Sequence, residues 1–455
     1  MARTGKVGTG AAAILLWIGF LFSMGPALAI DDESEPLCPI SMREAITLEQ
    51  NQIEHLFRER GLLYLAPKLA EDLQLSVETY LSHKQSPGDP RDRALLFFIG
   101  NSETLCAMYW RVGDDPRFNL FIIEQLAVAP ADIVPLIDDL VVEMQSSSAG
   151  VLRQARPKIG ESLPRGASPV RARRGRPAEQ ILAELSQILF PGRIGAHVQG
   201  LASLTVIPCL NIGIVPFAAM DPDGDRVPLV ETTVVNVEAE LRHVYENRAF
   251  GWNGIIGSAV VFGDPDAGSD PEWSFPRLPG AQREAIAVAE RLGAEAVLGE
   301  AATSRRMIDD IRQADYIHIA AHGLSSVESP LDGSFLALAG GRLTARSIQA
   351  LDLYKSPLVV LSACQTGLGG PLDAGIVGLA RGFVIAGAIG TVATLWNVDD
   401  DVTALLMMDF VANLQTMNPL DALRTAQQRV RSLHQHPRYW SGFMFFGSRT
   451  ITSPG

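Results

Sequence analysis

A histidine and a cysteine follow two short apolar runs in the second half of the chain, and together they could perform nucleophilic catalysis. The run Tyr316–Ala320 ends just before His322, and the run Leu358–Leu361 ends just before Cys364. An imidazole can deprotonate a thiol or stabilise the thiolate, which then attacks a carbonyl carbon. A cysteine after an apolar strand is usually a small core residue when it occurs alone. The pair on consecutive strands favours a catalytic dyad.

The residues around this pair predict how His322 and Cys364 come together. Both runs are short, rich in β-branched or aromatic residues, and stop at glycine or a polar turn, as strands buried on both faces of a parallel sheet do. Residues 343–351 predict a short helix between them. A right-handed crossover places such strands side by side or one apart, so both loops open at the carboxyl edge of the sheet. His318, inside the first run, is expected to be a packed histidine on the sheet face.

The first 29 residues have the order and chemistry of a secretory signal peptide. Arg3 and Lys6 form a basic start, residues 11–24 are apolar, and residues 27–29 read Ala-x-Ala. We expect cleavage after Ala29 and an exported protein, periplasmic or extracellular, with an uncleaved N-terminal anchor as the alternative. No other run approaches the roughly 20 apolar residues of a membrane span, so no stable span is expected after cleavage.

The charge of the chain limits the classes of partner. The 455 residues carry a formal net charge of −13, and loss of Arg3 and Lys6 with the signal takes −13 to −15. This charge argues against nucleic acid or an anionic membrane as the main partner. A protein or peptide substrate is expected. The cysteines and histidines lack the spacing of a zinc site, and the phosphate-loop and dinucleotide fingerprints are missing, so we expect no cofactor and no metal.

Four cysteines are present, and export would allow a disulfide. If Cys364 is a nucleophile it stays reduced, which leaves at most one bridge. Cys38 and Cys106 are the favoured pair because both lie in the N-terminal third of the chain. Cys209 lies in an apolar run and is expected in the core.

Composition and periodicity divide the chain into segments. They are a signal peptide at 1–29, a short helical region at 30–90, a β-meander with a helix at 91–145, a basic flexible linker at 146–178, an alternating strand and helix core at 179–447, and a tail at 448–455. Alternation on this scale indicates an α/β fold with a mostly parallel sheet.

Several short blocks of the chain follow one another in a recognisable order. They are 211–220, 263–265, 278–280 with Glu284, 302–303, 320–323, 361–367, 378–383, 386–388, 395–400 and 440–443. In these blocks the chain resembles the CHAT family of caspase-like domains, in the clan of caspases, gingipains and separases, and the resemblance covers about residues 90–447. The resemblance implies a caspase-like, mostly parallel sheet with helices on both faces, here preceded by a small β-meander and a short helical segment.

The resemblance also implies a cysteine endopeptidase. Cys364 would be the nucleophile and His322 the general base and acid, with the backbone N–H groups of Gly323 and Cys364 as the oxyanion hole. A dyad suffices in this clan. Two alternatives stay open: a catalytically idle CHAT scaffold that binds partners, and a cysteine acyltransferase or amidase that uses the same dyad.

Three carboxylates follow the strand expected at 389–396. They are Asp399, Asp400 and Asp401. Aspartates here are expected to cap the next helix, and by resemblance to separases one of them could line an S1 pocket that selects Arg or Lys at P1.

The basic linker contains candidate sites of self-cleavage. Residues 171–176 combine high positive charge with little predicted structure, which is where nicking concentrates. Arg173 and Arg174 are the best candidates, since Pro177 follows Arg176.

Overall fold

The computed structural model of the chain describes a defined part of its residues. These are 38, 93–100, 104–112, 120–146, 156–157, 176–238, 252, 254–326, 329–363, 370–372, 375–396 and 398–447. All of them belong to one compact unit, Cys38–Gly455, and the other unit, Met1–Leu37, contains none. The expected signal peptide, the helical segment before residue 90 apart from Cys38, and the arginines Arg173 and Arg174 lie outside the described residues.

Strands occur along the whole described part of the chain. They are β1 (Arg93–Gly100), β2 (Leu105–Val112), β3 (Leu120–Gln125), β4 (Arg156–Pro157), β5 (Ser203–Ile207), β6 (Val234–Val237), β7 (Ala259–Pro265), β8 (Trp273–Ser274), β9 (Ala296–Gly299), β10 (Tyr316–Ala320), β11 (His322–Leu324), β12 (Phe335–Leu338), β13 (Gly341–Thr344), β14 (Leu358–Leu361), β15 (Gly370–Leu372), β16 (Gly375–Val377), β17 (Gly390–Thr394) and β18 (Phe443–Phe446).

Helices alternate with these strands. They are α1 (Pro130–Ser146), α2 (Ala178–Leu189), α3 (Gly192–Gly195), α4 (Leu229–Thr232), α5 (Pro279–Leu292), α6 (Ser304–Ile311), α7 (Ala345–Gln349), α8 (Leu379–Ile385), α9 (Asp400–Asn413) and α10 (Pro419–Leu433). None of the helices in the described part of the chain reaches the length and hydropathy that a bilayer crossing requires.

An eleven-stranded sheet organises the fold. Its strand order is β3-β2-β1-β5-β6-β18-β17-β14-β10-β7-β9. The block from β17 to β9 is parallel throughout, whereas β18 runs antiparallel to β17 and parallel to β6. The strand direction therefore reverses between β17 and β18, and it reverses twice more at the other end of the sheet, between β1 and β2 and between β2 and β3. The carboxyl ends of β7, β10, β14 and β17 share one edge of the sheet, and those of β1, β5 and β6 lie on the opposite edge.

The centre of the parallel block is buried on both faces. Every residue of β10, β14 and β17 is buried, although side chains alternate between the two faces of a strand. Helices must therefore cover both faces, as the sequence predicts for a doubly covered α/β sheet. The mostly parallel α/β class is confirmed.

The N-terminal meander belongs to the same sheet. β1, β2 and β3 pair antiparallel, and β1 then pairs parallel with β5 at five positions from Arg93↔Ser203 to Phe97↔Ile207. A disulfide joins Cys38 to Cys106 of β2, so the favoured pair is confirmed. Cys209 is 2% exposed, which confirms its expected place in the core.

The crossover between β10 and β14 differs from the expected single helix. It contains a small antiparallel sheet of β11, β12 and β13, and its helix, α7, begins at Ala345. Gly340 has a φ of 73° at the turn between β12 and β13, a left-handed conformation that glycine adopts without strain. The expectation of a helix from residue 343 is therefore wrong, because residues 341–344 form the second strand of a hairpin.

Candidate active site

The histidine strand and the cysteine strand are neighbours in the sheet. β10 and β14 pair parallel with Tyr316 opposite Leu358 and Ile319 opposite Leu361, as the crossover predicts. In sequence, His322 and Cys364 are each three residues beyond this last pair. The segments that follow β10 and β14 therefore leave the sheet at the same level and at the same edge. His322 is described. Residues 364–369 lie outside the described residues, and the expected contact between the two side chains stays a prediction.

His322 is held in one orientation within a nearly dry site. Its side chain is 5% exposed, and its Nε2 lies 2.7 Å from the carbonyl oxygen of Pro276. A carbonyl can only accept, so Nε2 carries the proton and Nδ1 of the neutral ring is left as the proton acceptor. Burial lowers the pKa of His322, against the opposing effects of the Pro276 hydrogen bond and the negative charge of Asp264. The imidazole is therefore neutral at pH 7, the state that a general base requires.

Asp264 fixes the segment that carries the Pro276 carbonyl. It lies in β7, is 2% exposed, and has a φ of 45°, a left-handed conformation in which Asp is over-represented. Its Oδ1 accepts the Leu278 N–H at 2.6 Å, and its Oδ2 accepts from Nε and Nη2 of Arg277 at 3.0 and 2.6 Å. Both carboxylate oxygens are satisfied by residues that directly follow Pro276, so the acceptor for His322 is fixed in place.

An apolar cluster covers one side of the imidazole. The Phe275 ring centroid lies 5.3 Å from that of His322, and Phe275 packs with Trp273 and Phe335. This cluster explains the burial of His322 and the direction of its pKa change. Trp273 also belongs to β8, which pairs with β4 of the basic linker.

Gly323 follows His322 in β11 and is partly exposed. It lies opposite Leu336 of β12. Its expected part in an oxyanion hole requires the position of Cys364 and stays a prediction.

The three aspartates at the start of α9 have different environments. The Asp399 carboxylate accepts from the N–H groups of Asp401 and Val402, which confirms the expected helix cap. Asp401 forms an exposed ion pair with Arg283 at 3.1 Å.

Asp400 lies against the Cα of Gly280, near the start of α5, and leaves no room for a side chain there. A carboxylate at a helix N-terminus is favoured by the helix dipole. The acidic segment follows β17, so it is at the same sheet edge as His322.

A buried polar network connects α5 to both strands. His318 Nε2 lies 2.8 Å from Oε1 of Glu284, and the Ser362 hydroxyl donates to Oε2 of Glu284 at 3.0 Å. The Tyr316 hydroxyl lies 3.2 Å from Nδ1 of His318. His318 is fully buried, as expected, but its partner was missed. The signal that could have revealed it is a histidine inside a wholly apolar strand, since a buried polar group needs a partner.

A separate acidic group lies in the loop before α4. Oxygen atoms of Asp221, Asp223 and Asp225 lie within 4.8 Å of one another. Asp221 accepts the N–H groups of Gly224 and Arg226, so its carboxylate closes a turn. Neither the sequence nor these hydrogen bonds assign the group a ligand.

Comparison with known proteins agrees with this fold. A model of the CHAT domain matches residues 179–448, more than half of the chain, so the chain belongs to the CHAT domain family. Tetratricopeptide repeat protein 28 of Homo sapiens is 27% identical over 310 residues, which cover 56% of this chain and 12% of the human protein. The chain thus spans a small part of that relative's length.

Two solved structures show how far the fold resembles known ones. Separase in the Saccharomyces cerevisiae separase-securin complex superposes with a TM-score of 0.53 and 8% identity, covering 83% of this chain and 30% of separase. The Arg-specific cysteine proteinase gingipain R gives a TM-score of 0.41 and 11% identity over 63% of this chain and 70% of its own, too low to carry an argument. The separase likeness is one of fold, and the caspase-like fold is confirmed.

The burial of His322 predicts how the stability of the protein depends on pH. Since its pKa in the folded protein lies below the ordinary value of 6.5, the unfolded chain binds the proton more readily. The contribution of His322 to stability is complete above pH 6.5 and is lost as the pH falls through the lowered pKa. His322→Gln, whose amide can still donate to Pro276, should therefore lose less unfolding free energy than wild type between pH 7 and pH 5 in urea titrations.

His434→Gln, which changes a partly exposed histidine after α10, is the control and should follow the wild-type curve. An identical loss of stability in His322→Gln and wild type would contradict the assigned burial effect.

Proposed function

We propose that this protein is an exported cysteine endopeptidase that hydrolyses peptide bonds with Cys364 and His322. The register of β10 and β14 carries the proposal, because it sends His322 and the chain leading to Cys364 off the sheet at the same level. The hydrogen bond from His322 Nε2 to Pro276 supports it, since that bond leaves Nδ1 available to accept a proton.

The proposed reaction proceeds in two halves. Nδ1 of His322 accepts the Cys364 thiol proton, the sulfur bonds to the substrate carbonyl carbon, and the carbonyl electrons move to oxygen. The N–H groups of Gly323 and Cys364 stabilise that oxyanion. The C–N bond then breaks, and His322 gives its proton to the leaving amine. Water attacks the resulting thioester with His322 as base, and the acid product and the thiol are released.

Loss of the thiol should abolish cleavage. Purified protein without the signal is incubated with a fluorogenic peptide library that reports the P1 residue, and Cys364→Ala and His322→Ala should each reduce kcat/KM by about 10³-fold or more. Cys209→Ala removes a buried thiol elsewhere and should retain turnover. Equal activity in wild type and Cys364→Ala would overturn the proposal. Binding of peptides without turnover in wild type would favour the idle scaffold, and release of ammonia or acyl transfer would favour the amidase or acyltransferase.

Self-cleavage in the linker is part of the same proposal. β4, within the linker, pairs with β8, and Ser274 of β8 directly precedes Phe275, which packs on His322. Residues 156–157 of the linker thus lie beside the strand that leads into the candidate site. In the same incubations wild type should give two bands that divide near Arg173 or Arg174, and Cys364→Ala should stay intact.

A preference for Arg or Lys at P1 is proposed for the acidic segment at the start of α9. Each Asp→Asn variant at 399, 400 and 401 keeps its shape and loses its charge. The variant that removes the S1 carboxylate should lose about tenfold or more in kcat/KM for Arg at P1, because charge-assisted bidentate pairs are the strong ones. Asp309→Asn on α6 is the control. Asp399→Asn should in addition change stability little, since Asn is also a good cap.

Unchanged selectivity for Arg at P1 in all three variants would show that this segment does not line the S1 pocket. It would leave the dyad proposal intact.

Export to the periplasm or the extracellular space is proposed from the first 29 residues. The disulfide between Cys38 and Cys106 supports it, because disulfides persist in oxidising compartments. N-terminal sequencing of protein recovered from the exporting host should read Ile30-Asp31-Asp32. Recovery of intact Met1 from a membrane fraction would show an anchor instead.

A further inference from the structure

Glu284 connects the middle of β10 to the residue that directly follows β14. It lies on α5, is 4% exposed, and places one carboxylate oxygen against His318 of β10 and the other against Ser362 after β14. We propose that Glu284 and Ser362 are positioning residues, which hold the exit of the cysteine strand in place so that Cys364 meets His322. This inference rests on the proposed function, since it assigns the residues that align its dyad.

A neutral His318 gives the network a consistent arrangement of protons. Burial is the main effect that raises the pKa of Tyr316 well above its ordinary value, and the charge of Glu284 adds to it. The Tyr316 hydroxyl therefore stays protonated and can donate to Nδ1 of His318. The other nitrogen of a neutral His318 then carries its proton toward Oε1 of Glu284. In this series of hydrogen bonds Tyr316 donates to His318, His318 donates to Glu284, and the Glu284 carboxylate is the final acceptor.

The Ser362 hydroxyl completes the environment of that carboxylate. Oε1 accepts from His318 and Oε2 accepts from Ser362, so removal of either donor would leave a buried, charged oxygen without that hydrogen bond. Hydrogen bonds to charged groups contribute more to stability than hydrogen bonds between neutral groups. Ser362 is therefore held to α5 by a strong and directional contact.

The next residue is fixed from the other side. The carbonyl oxygen of Ala363 accepts the hydroxyl of Thr394 in β17. Consecutive residues after β14 are thus bonded to α5 and to β17, and Cys364 comes directly after them. Helix α5 is also close in the chain to the acceptor of His322. Pro276, whose carbonyl oxygen accepts the hydrogen bond from His322, lies three residues before the start of α5. Both His322 and the segment that precedes Cys364 are therefore connected to the N-terminal half of α5.

The test separates positioning from simple structural support. The rate of iodoacetamide modification of Cys364 is measured at pH 7.5 by peptide mass spectrometry, which distinguishes it from the buried Cys209. Ser362→Ala should slow this modification about tenfold, toward the level of His322→Ala, and should reduce kcat more than it raises KM. Ser362→Thr keeps a hydroxyl and should restore both. Ser186→Ala removes another buried, hydrogen-bonded hydroxyl, on α2, and should leave both unchanged.

Glu284→Gln provides a second test that keeps the shape of the side chain. Its amide oxygen can accept from His318 while its N–H₂ group donates to the Ser362 oxygen, so the fold is retained and the charge is lost. Modification of Cys364 should slow by less than in Ser362→Ala, because both contacts persist in weaker form.

The outcomes distinguish the two proposals. If wild-type Cys364 reacts no faster than it does in His322→Ala, the dyad of the proposed function is wrong. If wild type reacts faster and Ser362→Ala matches it, the dyad stands and the positioning role is overturned. An equal loss of rate in Ser362→Ala and Ser362→Thr also overturns it, since the hydroxyl would then not be the active feature.

Discussion

Two carboxylates with almost no access to water, Asp264 and Glu284, determine the geometry of the candidate site. A buried carboxylate is tolerated only where donors surround it, so each one requires its neighbours to stay in position. Asp264 binds the chain that follows Pro276, and through it the acceptor of His322. Glu284 binds Ser362 and so the exit of the cysteine strand. The histidine and the strand leading to the cysteine are both fixed by one short stretch of chain around the start of α5.

Much of the fold is predictable from local patterns. The two apolar runs before His322 and Cys364 form β10 and β14 with the bounds read from the sequence, because short apolar runs that end at turn residues are a signal carried by a few neighbouring residues. The hairpin of β12 and β13 is not predicted, since its strands are too short to show alternation and its turn depends on a single left-handed glycine, Gly340. The reversal of direction at β18 depends on packing between distant elements.

The residues of the candidate site also differ in whether the sequence alone reveals their roles. His322 is predictable because it follows an apolar strand and precedes a glycine. The roles of Asp264 and Glu284 as buried anchors are not, because their partners are separated from them by between 13 and 78 residues. A polar residue in an apolar run indicates that a partner exists without identifying it. The three-dimensional fold identifies that partner.

The pairing of β1 with β5 means that the two sides of the basic linker are halves of a single sheet. A break in the linker would sever the covalent chain and leave every strand beside its neighbour. The product would be a two-chain molecule in which the N-terminal chain supplies β1, β2 and β3 and remains bound through the ladder and the shared core. Its two chains would behave as the subunits of an obligate heterodimer and would separate only on unfolding.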